Sequence, residues 1–150
     1  MVDRAIRGAV TTTVGAATAL IGTLLPWLHS GSRDRSSYTI FELVDRLGFT
    51  SGGVVAWSLR LWPLVPMLLV VITVAGWAVA TGHLRWPVAS AAIGVAIVWI
   101  VGTVVALVLA PDAGLFRIGN GPVVCVAGVA VAGIGGLWLR PRRSAASEGA

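Results

Sequence analysis

The chain has 150 residues, of which 57% are hydrophobic and 11% charged, with a formal net charge of +5 and a mean hydropathy of +0.90. Soluble domains carry about 25% charged residues, so this composition excludes an ordinary water-soluble domain and predicts an integral membrane protein. The eleven basic residues are all arginines scattered between apolar stretches, which argues against a nucleic-acid-binding face.

Four stretches without a charged residue are long enough to cross a bilayer, because a hydrocarbon core of about 30 Å needs roughly 20 helical residues. We expect spans at about 8–28, 61–82, 86–110 and 118–139. Helices are expected because lipid offers backbone polar groups no hydrogen-bond partner. The sequence therefore predicts one all-α membrane domain over residues 1–150, a four-transmembrane-helix bundle with a polar C-terminal tail at 140–150.

The connector between the first two spans carries the densest mixture of charges. Its first part, SGSRDRSS, is typical of a polar, hairpin-like turn. Thr39 and Glu42 then have the spacing of a capping box, and apolar residues follow at helical intervals. We therefore expect a short amphipathic helix at about 39–48, on the extracytoplasmic side of the membrane.

Two roles are open for this short helix. In the first, it covers the bundle and rests in the membrane interface, with Phe41 and Phe49 as anchors. In the second, it contacts a larger partner. The candidate contacts there are Arg33, Asp34, Arg35, Phe41 and Val44. A lid over a transport path is a third, weaker alternative.

Tryptophans mark the expected boundaries of the spans. Trp27, Trp62, Trp86 and Trp138 fall at or near span ends, where an amphipathic ring is stable at headgroup level. Trp99 falls near the middle of the third span. We interpret it as a packing residue, inside the bundle or against a partner.

Small residues recur at intervals of four in three of the spans, and such ridges let helix backbones approach closely in lipid. They are Gly15-x-x-x-Ala19, Gly102-x-x-x-Ala106-x-x-x-Ala110 and Gly128-x-x-x-Ala132-x-x-x-Gly136. The fourth span has few large side chains, so we expect one of its faces to pack on protein. Gly128, Ala132 and Gly136 are therefore candidate partner contacts.

Few residues of the sequence are candidates for a catalytic or metal-binding site. Its two histidines, His29 and His83, are expected on opposite sides of the membrane, and the lone Cys125 has no companion for a disulfide or a metal site. The predicted spans contain no charged residue, the usual marker of an ion or proton path. We expect no catalytic residues, no metal and no cofactor.

The arginines also predict an orientation. The side that holds both termini would carry Arg4, Arg7, Arg85, Arg140, Arg142 and Arg143, and the opposite side Arg33, Arg35, Arg46, Arg60 and Arg117. The C-terminal cluster and the short HLRW turn favour cytoplasmic termini. We expect a multi-pass protein of the plasma or inner membrane.

The order of features resembles small four-span membrane proteins of actinobacteria, including mycobacteria. The resemblance lies in a first span ending in LPWL, then SGSRDRSS, then LVDRLGF, then three spans rich in Ala, Val and Gly. That group has no known function, so it implies no activity and no site residues. The plan is also similar to accessory subunits of larger actinobacterial machines, such as lipid importers or respiratory oxidase complexes, an analogy of fold alone.

These observations favour a non-enzymatic accessory or assembly subunit of a larger integral membrane complex. The alternative is a small channel or transporter that functions as an oligomer. A third hypothesis is a membrane enzyme with an extracytoplasmic site near His29 and Asp34. Enlarging the small residues of the fourth span should release a partner in the first case, whereas His29→Ala should abolish activity without loss of assembly in the third.

Overall fold

Four long helices and three short strands make up the part of the chain that the computed structural model describes, which is residues 2–30, 33–39, 42, 60–108 and 117–141. In chain order the elements are α1 (Val2–Leu24), β1 (Pro26–Ser30), β2 (Arg33–Ser36), a 3-10 turn (Trp62–Leu64) that leads into α2 (Val65–Ala80), α3 (Trp86–Val108), β3 (Arg117–Ile118) and α4 (Gly121–Trp138).

Each long helix has the length and composition needed to cross a membrane. The four candidate spans are Asp3–Leu24, Trp62–Ala80, Trp86–Val105 and Gly121–Trp138, with hydropathies of 1.2, 2.2, 2.4 and 1.8. The structure thus confirms four apolar helices, one for each predicted span. This architecture is compatible with a multi-pass membrane protein.

The helices alternate in direction around the bundle. Gly8 of α1 lies beside Gly135 of α4, and Gly22 lies beside Cys125, so α1 and α4 are antiparallel. At the end of α2, the Nε1 atom of Trp77 donates to Oγ1 of Thr13 at 3.1 Å, in the middle of α1, and a Cβ atom on Gly76 would lie 3.7 Å from Cδ1 of Leu139, just after α4. At the start of α3, Trp86 donates to the carbonyl oxygen of Gly136 at 3.1 Å. The start of α1 and the end of α4 therefore lie at one end of the bundle, which we call the terminal end.

The strands form a small sheet at the opposite end, which we call the sheet end. The strand order is β2-β1-β3, with β1 antiparallel to both neighbours. The all-α prediction omitted this sheet. The hairpin between β1 and β2 matches the expected turn in SGSRDRSS, but the third strand comes from a segment nearly ninety residues later in sequence order, which local pattern cannot indicate.

The first and fourth helices are shifted from their predicted bounds. The first span was expected at 8–28, yet α1 covers Val2–Leu24 and Pro26 begins β1. Proline has no N–H for a helical hydrogen bond and disfavours helix at the preceding residue, which explains the early end. The fourth span was expected from Ile118, but that residue lies in β3 and α4 begins at Gly121, followed by Pro122 in its first turn.

Two tryptophans assigned to the membrane interface are instead buried at the sheet end. Trp27 and Trp62 are 0% exposed and pack edge to face, with ring centroids 5.1 Å apart. Trp27 donates through Nε1 to the Gly22 carbonyl at 2.8 Å, and Trp62 donates to Oγ of Ser37 at 3.0 Å. The sequence did not predict the burial of these two rings, which is possible because their indole N–H groups are satisfied.

The predicted short helix at 39–48 lies mostly outside the described residues. Residues 37–39 and 42 are helical, so Thr39 is inside a helix and is not its N-cap as the capping-box interpretation required. Ser37 is buried and donates to the carbonyl oxygen of Thr23 at 2.7 Å, which holds this segment against the end of α1. The candidate contacts Phe41 and Val44 lie outside the described residues.

Candidate functional site

The described part of the chain contains no cluster of side chains suited to hold a metal ion. Among residues 2–30, 33–39, 42, 60–108 and 117–141, no three His, Cys, Asp or Glu side chains are grouped so that they could hold a metal ion. The free Cys125 is buried within α4.

The sheet brings together residues that the enzyme hypothesis had grouped. In the strand register, His29 of β1 is opposite Asp34 of β2 on one side and opposite Arg117 of β3 on the other. Arg33 and Arg35 pair with Ser30 and Leu28 in the same hairpin. The candidate contacts Arg33, Asp34 and Arg35 thus share one short strand at the sheet end.

Glycines line the contact between α1 and α4, the most extensive helix pair of the fold. Gly8, Gly15 and Gly22 recur every seven residues in α1, and Gly121, Gly128 and Gly135 recur every seven residues in α4. With the buried residues between them they form what we call the glycine seam. Its members are Gly8, Thr12, Gly15, Ala19 and Gly22 in α1, Cys125, Gly128, Ala132 and Gly135 in α4, and Leu139 just after α4. Gly121 continues the seven-residue interval but lies against Trp27 of β1.

The seam brings backbone against backbone. A Cβ atom on Gly15 would lie 2.6 Å from the carbonyl oxygen of Gly128 and would overlap the backbone nitrogen of Ala132. A Cβ atom on Gly128 would overlap the backbone nitrogen of Ala19 and lie 2.7 Å from the carbonyl oxygen of Gly15. Neither position can accept alanine unless the helices separate, because the neighbouring atoms are backbone.

This geometry shows what Gly128 and Ala132 contact. Both are buried against α1 of the same chain, so their neighbours in the structure are intramolecular. Gly136 faces α3 instead, where a Cβ atom would lie 2.7 Å from Cδ1 of Ile93. The ridge that was predicted to meet a partner therefore occupies two contacts inside the bundle.

A seven-residue interval in the sequence could have revealed the pairing of α1 with α4. Residues at intervals of three and four, repeating every seven, keep one narrow stripe of a helix facing its partner. The four-residue spacing on which the predictions relied occurs in three spans and does not say which two of them pair. Only α1 and α4, among the described helices, carry three glycines at successive intervals of seven.

Helix α3 presents an apolar stripe, with a glycine in it, that no described element covers. The exposed residues Val88, Ala91, Val95, Val98, Gly102 and Val105 follow one another at intervals of three and four, and we call them the α3 outer face. Val98 at its centre is 73% exposed. A Cβ atom at Gly102 would have no neighbouring atom within 4 Å among the described residues. The face is therefore narrow, smooth and open.

The exposed face of α2 differs in the size of its side chains. It carries Leu64, Met67, Val70, Val71, Val74 and Trp77. Its one glycine, Gly76, is buried and faces Thr12 of α1 rather than the outside. Large apolar side chains suit contact with lipid tails, whereas small residues are enriched where membrane helices contact each other.

Trp99 lies on α3 beside the buried stripe of that helix and is partly exposed. Its Nε1 atom is buried and has no hydrogen-bond acceptor among the described residues. An N–H group without an acceptor in a low-dielectric environment costs about 1–3 kcal/mol. The packing role predicted for Trp99 remains a prediction, and its indole N–H is the one polar side-chain atom of the described residues left unsatisfied in the interior.

Comparison with known proteins identifies no relative. No protein-family model, no curated protein and no solved structure matches the chain.

Proposed function

We propose that the protein is a non-enzymatic accessory or assembly subunit of the plasma or inner membrane, bound to a larger integral membrane complex through the α3 outer face. The observation that carries the proposal is the open glycine at Gly102, within a stripe whose other members are alanine and valine. The sequence placed this contact on α4. We now assign it to α3, because the α4 ridge is covered by α1 and α3.

The occupant that suits this face is a transmembrane helix of another protein. The glycine seam shows what such a stripe does in this fold, since it allows two helix backbones into direct contact. Gly102, with Ala91 on the same face of α3, would give a further helix room to approach there. The exposed face of α2 has no glycine and carries Leu64, Met67 and Trp77 beside its valines, so it leaves a helix less room to approach.

The sheet end supplies a second, polar contact in this proposal. Strand β2 carries two arginines and one aspartate in four residues, Arg33–Ser36, and would face the extracytoplasmic surface of the complex. Both termini would then be cytoplasmic, with the arginines of the terminal end following the positive-inside rule. This orientation rests on the arginine distribution in the sequence.

The proposal is tested by extracting the protein from its native membrane into nanodiscs and measuring its mass with its co-purifying chains. We expect one larger complex of fixed stoichiometry, whose other chains would identify the process served. A folded monomer or a homo-oligomer would contradict the proposal and would favour the channel alternative, to be followed by flux assays in liposomes.

Two matched variants locate the contact in the same experiment. Gly102→Leu enlarges the α3 outer face at a position where a Cβ atom has no described neighbour within 4 Å, so the protein should fold but lose the complex. Val74→Phe enlarges the exposed face of α2, where Val74 is 61% exposed, and should leave the complex intact. Equal effects of the two substitutions would argue against an α3 contact.

A further inference from the structure

A groove between α3 and α4 at the terminal end is separate from the α3 outer face. It has a volume of about 250 Å³ and an apolar lining. Ile93 and Ile97 of α3 and Leu137 of α4 contribute to its walls. Glycines from both helices line it as well, at Gly94, Gly133 and Gly136. The small side chains leave space that the bundle itself does not fill.

The length of the groove along α3 is close to the thickness of the hydrocarbon region of one bilayer leaflet. Its α3 lining runs from Trp86 to Ile97, which at 1.5 Å per residue is about 16 Å along the helix. Half of a hydrocarbon core of about 30 Å is nearly the same length. The groove thus has the length and polarity for one acyl chain lying parallel to the helices.

Arg140 lies over the Trp86 ring at the end of this groove. The Trp86 ring lines it and is held in place by the hydrogen bond from Nε1 to the Gly136 carbonyl oxygen at 3.1 Å. The guanidinium carbon of Arg140 lies 5.5 Å from the centroid of that ring, within the range of a cation–π contact. Arg85, which precedes Trp86 in sequence, is also exposed at this end.

Among the described residues of the terminal end, the carboxylate of Asp3 is paired with another arginine. Asp3 pairs with Arg7 at 2.7 Å on α1. Among the described residues, Arg140 forms no ion pair with a carboxylate. A guanidinium binds phosphate in a planar, two-pronged geometry, and basic sites between helices at a membrane surface suit anionic headgroups.

The geometry points to a binding site for an anionic phospholipid, with one acyl chain in the groove between α3 and α4 and the headgroup phosphate at Arg140. The apolar lining accommodates the acyl chain, and Arg140, whose guanidinium lies over the Trp86 ring, favours a negatively charged headgroup. The site requires a membrane environment but no partner protein, so it stands or falls independently of the contact proposed at the α3 outer face.

Native mass spectrometry of the purified protein in detergent tests the site, with phosphatidylglycerol and phosphatidylcholine of identical acyl chains as probes. We expect saturable binding of one phosphatidylglycerol molecule in preference to phosphatidylcholine. Arg140→Gln should weaken phosphatidylglycerol binding about five-fold and reduce the preference between the two lipids. Arg4→Gln removes the same charge at the terminal end outside the groove and should have a smaller effect.

Gly94→Leu tests the groove without altering any charge. Because a Cβ atom at Gly94 meets no described atom within 4 Å, the substitution should be accepted by the fold and fill the space. It should therefore weaken the binding of both lipids. Val98→Leu, on the α3 outer face, is the control and should change neither.

Three results would overturn the inference. Equal binding of the two lipids would remove the role of Arg140, and equal effects of Arg140→Gln and Arg4→Gln would reduce the attraction to general surface charge. Unchanged lipid binding in Gly94→Leu would show that no acyl chain occupies the groove. If that variant instead loses a co-purifying protein in native nanodiscs while lipid binding is unchanged, the groove belongs to a protein contact.

Discussion

Gly128 in the glycine seam and Gly102 in the α3 outer face have similar sequence surroundings, but only Gly128 is packed against another helix. Gly128 and Gly102 each begin a ridge of small residues at intervals of four. Around Gly128 the backbone of α1 fills all the space that a Cβ atom would need, whereas no described atom lies within 4 Å of that position at Gly102. A small-residue interval therefore indicates that a helix can be approached closely, but not which helix approaches it.

The largest effect should come from enlarging the seam. Gly128→Ala should lower the free energy of unfolding by about 3 kcal/mol or more, because the new methyl group meets backbone atoms that no rotamer change can move. Reversible unfolding in mixed detergent micelles would measure the loss. Retention of stability within about 0.5 kcal/mol of the wild type would contradict the antiparallel contact of α1 with α4.

That result would also change how loss of a partner is interpreted. Substitutions at Gly128 or Ala132 were expected to release a partner directly. In this fold they separate two helices of the same chain, so a lost complex would follow from a lost fold. Stability and partner binding therefore have to be measured on the same variant.

The next effect concerns the tryptophans of the packed sheet end. Trp62→Phe should cost about 1–3 kcal/mol, because it removes the N–H that donates to Ser37 Oγ in a fully buried site. The loss is measured in the same unfolding assay. Ser37→Ala removes the acceptor and the Ser37 bond to the Thr23 carbonyl, so the double variant should cost less than the two single losses added together.

A smaller change of opposite sign is expected on the α3 outer face. Gly102→Ala should raise the free energy of unfolding of the isolated protein by about 0.5–1 kcal/mol, because alanine favours a helix over glycine and the added methyl group meets no described atom. A clear loss of stability in the isolated protein would place a packed neighbour at Gly102 and remove the contrast with Gly128.

The smallest effect should come from Trp99→Phe. The Nε1 atom of Trp99 is buried without an acceptor among the described residues, so removing it should leave stability within about 1 kcal/mol of the wild type. The difference from Trp62→Phe is the informative quantity, since both substitutions make the same chemical change. A loss as large as that of Trp62→Phe would show that the Trp99 N–H has a partner.

The sequence predicted the four helices well because uninterrupted apolar length is a direct physical requirement for crossing lipid. It failed at the ends of α1 and α4, where Pro26 and the pairing of Ile118 with Leu28 decide the structure. It also placed Trp27 and Trp62 at the membrane interface, because an indole ring suits both an interface and a core with a nearby carbonyl or hydroxyl acceptor. Such acceptors become visible only when distant segments meet.

The partner contacts predicted on the helices were also only partly readable from the sequence. Residue type predicted that small residues of α4 would pack on protein, and the structure confirms a close contact but supplies α1 and α3 as the neighbours. Gly102 of the predicted α3 ridge lies on the open outer face, and its exposure follows from the arrangement of the four helices rather than from composition. The four-residue interval alone does not distinguish the two ridges, whereas the seven-residue interval of glycines in α1 and α4 does.

The most direct test of whether the α3 outer face contacts a partner is photo-cross-linking in living cells. A benzophenone amino acid is placed at Val98 on the α3 outer face or at Val74 on α2. These residues are 73% and 61% exposed, so neither probe should disturb the fold. We predict a cross-link from position 98 to another membrane protein and none from position 74. Cross-links from position 74 alone, or none from either position, would contradict the assignment of the α3 outer face as the contact surface.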